Sequence, residues 1–312
     1  MRWYKEIFYL SWHFGLRAMW DIALKPRLIR TYTRSDGVLS FLERGLKGQI
    51  AQLRAHTDNE LAALPEDSTI WLCWLQGEAQ MPDTIRKCYE SLHLNKGHHK
   101  IILITNETVN DYVALPDYIK DKHEKGIISN THYSDIIRCY LLWKYGGVWI
   151  DAALYVLHEI DFKNVVFYSP KMVESTDSIN LKWTIGVLAT SANFYLFEFS
   201  YNCLLEYWRK YNSPVVYLLL DCVIEIAYRN SDFIKKMVDA IPLNNVDLHS
   251  SRYSFNKKCD ESVFQRLISN NTFLSLSWRF QYHTHTDSGE LTYYGRLLQE
   301  FENQKMNQNN KN

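Results

Sequence analysis

The sequence predicts an α/β protein built around a sheet of the nucleotide-binding kind. Residues 70–75 are a continuous apolar run, as expected of a buried parallel strand, and residues 99–104 (HKIILI) are predicted to form the second strand. Between them, apolar residues recur at helical spacing after Pro82, so the stretch is a strand–helix–strand unit. A third buried run, residues 148–150, is followed at once by Asp151. Polar groups at the carboxyl ends of such strands are typical of a ligand-binding edge.

Three parts are predicted along the 312 residues: a helical extension (1–64), a catalytic domain (65–302) and a disordered polar tail (303–312). Lys plus Arg and Asp plus Glu both total 35, so net charge does not indicate a nucleic-acid partner. The six cysteines lack zinc-site spacing and indicate a reducing, cytoplasmic setting. No stretch approaches the roughly 20 apolar residues that span a bilayer.

The first 34 residues combine many aromatic side chains with seven Lys or Arg and only two acids. A helix of this kind can lie on an anionic membrane surface, which would place the protein at the inner face of the membrane. Equally, it can dock on the catalytic domain or pair with a second copy, and periodicity does not distinguish these. Residues 35–37 are predicted to break the pattern before a second helix over residues 38–64. Its packing stripe is Leu39, Leu42, Leu46, Ile50 and Leu53.

The most informative stretch is residues 134–153, SDIIRCYLLWKYGGVWIDAA. Its helical part is predicted to end at the Gly-Gly step, and the short strand that follows delivers Asp151 to the ligand-binding edge. Asp135 and Arg138 lie one helical turn apart and share a face. Each feature alone has a common structural explanation, because Asp–Arg pairs often lie on helix surfaces and Asp often forms turns.

Taken together, the pattern S-D-x-x-R, a spacer, then G-G-x-W-x-D resembles the sugar-nucleotide signature of GT-A glycosyltransferases. It is most similar to the capsular polysaccharide synthesis group, related to glycosyltransferase family 32, and more remotely to the clostridial glucosylating toxins. The resemblance implies a GT-A-like fold and transfer of a sugar from a nucleotide sugar, expected to be a UDP-sugar, to a growing bacterial surface glycan or lipid-linked glycan. It departs from the D-x-D form at Ala153, where a second Asp is usually a direct ligand of a divalent metal. The capsular group often lacks this second carboxylate too. An inactive scaffold or regulator of polysaccharide assembly is the alternative, and the D-A-A ending is its main support.

The resemblance also assigns roles to individual residues. Asp151 and Asp135 are the predicted catalytic residues, and Asp151 is the predicted ligand of a Mn²⁺ or Mg²⁺ ion whose requirement Ala153 puts in question. Trp74 matches a tryptophan that stacks on uracil, although periodicity alone would make it a core residue. The full set of predicted donor-binding residues is Trp74, Gln76, Ser134, Asp135, Arg138, Asp151 and Arg279.

Two further groups of polar residues remain open. Asp221 and Glu225 share one face of an apolar helix predicted over residues 215–228, and they are either a general base or metal contact, or a buried hydrogen-bonded pair. His283 and His285 could supply the missing metal ligand, or be exposed loop residues.

Overall fold

The computed structural model describes residues 3–57, 60–171, 183–249 and 254–309. Its centre is a five-stranded sheet, and a two-stranded antiparallel sheet lies beside it. The strands of the described residues are β1 (Ile70–Cys73), β2 (Ile101–Ile104), β3 (Gly147–Ile150), β4 (Leu154–Val156), β5 (Phe167–Tyr168), β6 (Val187–Thr190) and β7 (Phe273–Ser275).

Helices cover the sheet and extend from it at both ends of the chain. They are α1 (Trp3–Phe14), α2 (Leu16–Met19), α3 (Lys25–Leu28), α4 (Arg34–Gly45), α5 (Lys47–Ala55), α6 (Asp83–Asn95), α7 (Val109–Tyr112), α8 (Asp117–Glu124), α9 (Asn130–Lys144), α10 (Tyr195–Lys210), α11 (Leu219–Asn230), α12 (Asp232–Asp239), α13 (Glu261–Asn270) and α14 (Tyr293–Asn309). A π-helical turn (Trp20–Leu24) and a 3-10 turn (Glu78–Gln80) complete them.

The large sheet has the strand order β2-β1-β3-β6-β5. β1 is parallel to both β2 and β3, while β6 runs antiparallel to β3 and to β5. Helix α6 is the crossover between β1 and β2, as the strand–helix–strand pattern predicts. Because parallel strands end at the same edge, the carboxyl ends of β1 and β3 lie together. The predicted α/β class is confirmed.

Two glycines allow β3 to enter the sheet directly after α9. Gly146 and Gly147 have φ values of 64° and 95°, in the left-handed region that glycine adopts without strain. A Cβ at Gly147 would lie 2.4 Å from the carbonyl oxygen of Thr69, which precedes β1. That same carbonyl accepts a hydrogen bond from the Val148 N–H at 2.8 Å. The Gly-Gly step is thus required by the close approach of two strands as well as by the end of the helix.

The N-terminal region differs from its prediction in detail. Residues 35–37 do not break the helical pattern, because Thr33 is the N-cap of α4 and forms a capping box with Asp36. Gly37 instead permits close packing, since a Cβ there would lie 2.2 Å from the carbonyl oxygen of Asp21. The single helix predicted over residues 38–64 is two helices, α4 and α5, although every residue of its predicted packing stripe is buried.

Helices α1, α2, α4 and α5 share one hydrophobic core with α10 and α11. The Tyr9 hydroxyl donates to the carbonyl oxygen of Pro214 at 2.9 Å. The Phe14 ring contacts those of Phe41 and Tyr211 at centroid distances of 5.5 and 5.4 Å. One face of α1 therefore docks on the body of the protein, as one of the predicted alternatives requires.

The C-terminal part is helical and closes the smaller sheet. β4 pairs with β7, and both pack in a separate cluster with α14 through Leu297 and Phe301. The tail predicted to be disordered from Asn303 is helical as far as Asn309, because it continues this packed helix. The Gln304 side chain also donates to the carbonyl oxygen of Leu157 at 3.2 Å. The region predicted as a helix from residue 215 becomes helical only at Leu219.

Candidate active site

A cleft of about 410 Å³ opens at the carboxyl ends of β1 and β3. Most of its lining comes from the segment after β1, the start of α9 with the end of β3, and the segment after β7. Shorter contributions come from α6, from the segments before β6 and α11, and from residues 248–249. Six of the seven predicted donor-binding residues line it. These are Trp74, Gln76, Ser134, Arg138, Asp151 and Arg279.

Asp151 lies on the floor of this cleft with one carboxylate oxygen already engaged. Its Oδ1 accepts hydrogen bonds from Arg138 Nη2 at 2.8 Å and from the Trp149 indole N–H at 2.7 Å. Its backbone N–H donates to the carbonyl oxygen of Gly186 at 2.8 Å. The side chain is 38% exposed, and no described residue hydrogen-bonds Oδ2. Asp151 is held rigidly and offers one free oxygen to a ligand.

Arg138 is the central cation beneath the cleft, and its contacts are within the protein. Besides Asp151, its Nη1 donates to the carbonyl oxygen of Ile185 at 2.7 Å, and its guanidinium lies 4.7 Å from the ring centroid of Trp149. Burial opposes its charge, but the carboxylates of Asp151 and Asp135 outweigh that and hold its pKa above the ordinary value. With a side chain only 4% exposed, Arg138 orients Asp151 and has little surface for phosphate.

Two buried carboxyl groups lie behind Arg138. Asp135 does not line the cleft, so its expected contact with the donor is not supported by its position; its carboxylate lies 3.4 Å from Arg138 Nη2. Burial, opposed by Arg138, raises the pKa of Asp135 to about 6. Burial and the charge of Asp135 raise the pKa of Asp221 to about 7, and Asp221 Oδ2 has no hydrogen-bond partner among the described residues. Asp135 therefore contacts Arg138 as a buried ion pair, in which its Oδ1 has no hydrogen-bond partner among the described residues.

The other half of the Asp221–Glu225 pair belongs to the surface. Glu225 forms an ion pair with Arg229 at 2.6 Å one turn further along α11, and it does not line the cleft. The two acids share a helix face but not a site. Neither predicted alternative describes both residues. Asp221 belongs to the buried cluster behind the cleft, whereas Glu225 forms an i, i+4 ion pair with Arg229.

Trp74 follows β1 and forms one wall of the cleft. Its backbone N–H donates to the carbonyl oxygen of Ile104 at 3.0 Å, which fixes the residue to the end of the sheet. The ring packs partly against the core cluster around β1 and β3, yet it also lines the cleft. Gln76 is exposed on the same wall. A partly buried tryptophan that also lines the cleft is suited to stacking on a planar base.

Arg279 supplies a second cation to the lining of the cleft. Its side chain is exposed and forms no ion pair with an acid among the described residues. The guanidinium carbon lies 5.4 Å from the ring centroid of Trp278, which is 52% exposed and also lines the cleft. Unlike Arg138, Arg279 has its charge available to an anionic ligand.

The described residues of the cleft form no closed metal site. Ala153 lines the cleft at the position where the related pattern has an Asp. No group of three His, Cys, Asp or Glu side chains suited to a metal lies together in the described residues. His283 and His285 are exposed and lie away from the cleft, as their loop interpretation expects. Among the described residues that line the cleft, Asp151 Oδ2 is the one carboxylate oxygen without a hydrogen-bond partner, so a cation there would share its coordination with the ligand.

The sequence reasoning missed three aromatic residues of the site. Trp149 appears in the signature pattern, but its role as hydrogen-bond donor to Asp151 was not assigned. Trp278 precedes the predicted Arg279 and was passed over. Tyr217 was placed within a helix, whereas it precedes α11 and lines the cleft with its side chain 64% exposed. A proline at position 214 and the polar residues around it are the signal for a longer loop here.

Comparison with known proteins gives one family match and one curated relative. A family model described as capsular polysaccharide synthesis protein matches residues 24–297, beginning well before the stretch that carries the sequence resemblance. The O-glycosyltransferase braB of Annulohypoxylon truncatum is 25% identical over 126 residues, which cover 35% of this chain and 30% of that protein. The match therefore spans less than a third of that relative.

Two solved structures are similar only in outline. The PaToxG glycosyltransferase has a TM-score of 0.40 at 14% identity and covers 66% of this chain and 83% of its own. The apo structure of the bifunctional glycosyltransferase WbbM has a TM-score of 0.41 at 11% identity, and the match covers 92% of this chain and 63% of the WbbM chain. At these TM-scores neither superposition supports an inference about this chain.

Proposed function

The chain belongs to the capsular polysaccharide synthesis protein family, as its sequence predicts, and on that premise we propose that it is a glycosyltransferase. The donor is a nucleotide sugar, with a UDP-sugar as the proposed substrate. The acceptor is a growing bacterial surface glycan, either free or lipid-linked. Trp74 stacks on the base, Arg279 faces the diphosphate, and Asp151 accepts a hydrogen bond from a hydroxyl of the ribose or sugar.

One observation carries this proposal. An aromatic wall, a free cation and a rigidly held carboxylate face one cleft at the carboxyl ends of parallel strands. Each group matches one part of a nucleotide sugar: the ring matches the base, the guanidinium matches the diphosphate, and the carboxylate matches hydroxyl groups. A protein that only bound a partner would have no need of all three chemistries in one concave site.

The chemistry explains why the cation must be free. Transfer forms a bond between the acceptor oxygen and C1 of the donor sugar, breaks the bond from C1 to the β-phosphate oxygen, and releases the hydroxyl proton. Negative charge develops on the departing phosphate, and a positioned cation stabilises it in the transition state. The planar guanidinium of Arg279 suits this role, while Arg138 is committed to Asp151 and Asp135. Asp135 and Trp149 act indirectly, by holding Arg138 and Asp151 in place.

A divalent cation fits the cleft only if the donor helps to hold it. Mg²⁺ and similar ions are often bound by one or two carboxylates together with substrate phosphates. Asp151 would be the ligand from this chain, and the ion would supply further positive charge at the diphosphate. Since Arg279 faces the same part of the donor, the two sources of positive charge can be separated experimentally.

The test is binding and slow hydrolysis of a panel of nucleotide sugars, measured by calorimetry and by release of free sugar. Each donor is examined with Mn²⁺ and again with a chelator. Binding and hydrolysis of one donor support the proposal. If chelation abolishes activity, the negative charge on the departing phosphate is stabilised by an ion held by Asp151. If activity survives chelation, that charge is stabilised by Arg279. Absence of binding to every donor, by protein whose circular dichroism is that of a folded α/β chain, would favour the inactive scaffold.

A further inference from the structure

Helix α1 presents a second apolar face that points away from the protein. Tyr4, Phe8 and Trp12 recur every four residues and are 56%, 66% and 75% exposed. The rings of Phe8 and Trp12 stack at a centroid distance of 6.0 Å. Leu10, on the opposite side of the helix, is 1% exposed in the core. We call Tyr4, Phe8 and Trp12 the outer face of α1.

Further large apolar side chains lie exposed on the segment that follows α1. The Arg27 guanidinium lies 5.0 Å from the ring centroid of Trp3, so the end of this segment returns to the start of α1. The exposed apolar residues of the segment are Leu16, Trp20, Leu28 and Ile29. Soluble surfaces seldom expose so many large apolar side chains within one short region, and such regions mark interaction sites.

The exposed charged side chains of the N-terminal segment are of one sign. Glu6 forms an ion pair with Arg34, and Asp21 forms ion pairs with Arg44 at 2.7 Å and with Arg17 at 4.0 Å. Neither acid is exposed, so the exposed charged side chains of described residues 3–34 are all basic. They are Lys5, Arg17, Arg27, Arg30 and Arg34.

We propose that the outer face of α1 docks this protein on an anionic lipid bilayer, with its aromatic side chains in the interface and its basic residues against the headgroups. Trp, Tyr and Phe flanked by Lys and Arg are the side chains that enter a membrane interface from a helix lying in its plane. A second copy is a poorer occupant, because two surfaces with exposed charges of the same sign repel one another. None of the described helices is long and apolar enough to cross a bilayer, so the contact is with its surface.

The proposed membrane face and the cleft are connected through one short segment. Tyr9 of α1 is bonded to Pro214, and Tyr217, three residues on, lines the cleft. The carbonyl oxygen of Tyr217 is 3.1 Å from His132 Nε2, on the helix that carries Arg138. Docking through α1 would therefore hold the cleft close to a lipid-linked substrate, but the membrane contact itself does not depend on the enzymatic proposal.

The experiment is flotation of the full chain with vesicles of phosphatidylcholine, with and without phosphatidylglycerol. The wild-type protein is expected to float with the anionic vesicles and much less with the neutral ones, and added salt should weaken binding. The variant Phe8→Ser/Trp12→Ser is expected to lose at least about tenfold in partitioning. The variant Lys5→Gln/Arg30→Gln should lose about fivefold for each charge removed, on anionic vesicles only.

Met306→Ser is the matched control, because Met306 is 61% exposed on α14 and should leave flotation unchanged. Both substituted aromatic residues are largely exposed, so the fold should be kept, and circular dichroism checks this. Failure of the wild-type chain to float, or equal flotation of the Phe8→Ser/Trp12→Ser variant, overturns the proposal. A third outcome would also overturn it: the wild-type protein binds no vesicles and is a dimer by light scattering, and the Phe8→Ser/Trp12→Ser variant is a monomer. The outer face of α1 would then pair two copies of the chain.

Discussion

The buried cluster behind the cleft makes a prediction about stability that does not depend on finding the substrate. Asp221 is 4% exposed, and its Oδ2 has no hydrogen-bond partner among the described residues. The charged groups that act on it are Asp135, Arg138 and Asp151. Replacing Asp221 with Asn removes its ionisation while keeping its shape, so the change isolates the cost of a buried carboxylate.

The sign of the effect follows from the pKa. Burial and the charge of Asp135 raise the pKa of Asp221 from the ordinary 3.8 to about 7 in the folded protein. Between these two values the unfolded chain loses the proton while the folded chain keeps it, so stability falls as the pH rises. Each pH unit is worth about 1.4 kcal/mol for one such group, so the whole window is worth up to about 4 kcal/mol. The free energy of unfolding of Asp221→Asn, relative to that of the wild type, should therefore rise by about 2 to 4 kcal/mol from about pH 4 to about pH 8.

The assay is urea unfolding of the wild type and Asp221→Asn at both pH values. The Asn amide can have its own free-energy cost in this buried site, but that cost does not depend on pH. It therefore cancels when the results at the two pH values are compared. Asp111→Asn, at an exposed position, is the control and should show no such change with pH. A difference between wild type and Asp221→Asn that is the same at both pH values would refute the reasoning, since Asp221 would then ionise normally in the folded protein.

Three further substitutions test separate parts of the account. Trp74→Ala should weaken donor binding by about ten- to a hundredfold, while Trp74→Phe keeps most of the affinity, as calorimetry would show; equal losses would argue against stacking on the base. Arg279→Met should lower kcat by about a hundredfold with a smaller change in KM, and an effect confined to KM would assign Arg279 to ground-state binding. Gly147→Ala should destabilise the fold by about 2 kcal/mol or more in urea unfolding, because φ is 95° and the new Cβ would meet the Thr69 carbonyl; wild-type stability would contradict this close approach.

The sequence predicted the parts of the fold that depend on local signals. The end of α9, the start of β3 and the position of Asp151 follow from the Gly-Gly step and the apolar run after it. The stripe in α4 and α5 was confirmed because helical periodicity identifies a buried face whether or not the helix is interrupted. The capping box at Thr33 was missed because its second member is Asp36, a shorter side chain than the usual Glu or Gln.

The arrangement behind the cleft could not be predicted, because it depends on contacts between distant elements. Asp135 shares a helix face with Arg138, but only the packing of α9 against its neighbours shows that Asp135 is buried away from the cleft. Asp221 comes from α11, and nothing in its own segment indicates that it lies within reach of Arg138. Tyr217 was assigned to a helix because the apolar run is continuous, and apolar runs do not mark where a helix begins.

The most direct test of the central claim is hydrolysis of the preferred nucleotide sugar by the wild type, Asp151→Asn and Asp111→Asn. Asp151 joins the buried cluster to the cleft, and Asn keeps the shape of the side chain while removing its negative charge. Asp151→Asn is expected to lose about a hundredfold or more in turnover with its fold intact, while Asp111→Asn should retain wild-type turnover. Wild-type turnover by folded Asp151→Asn would contradict the assignment of this cleft as the active site.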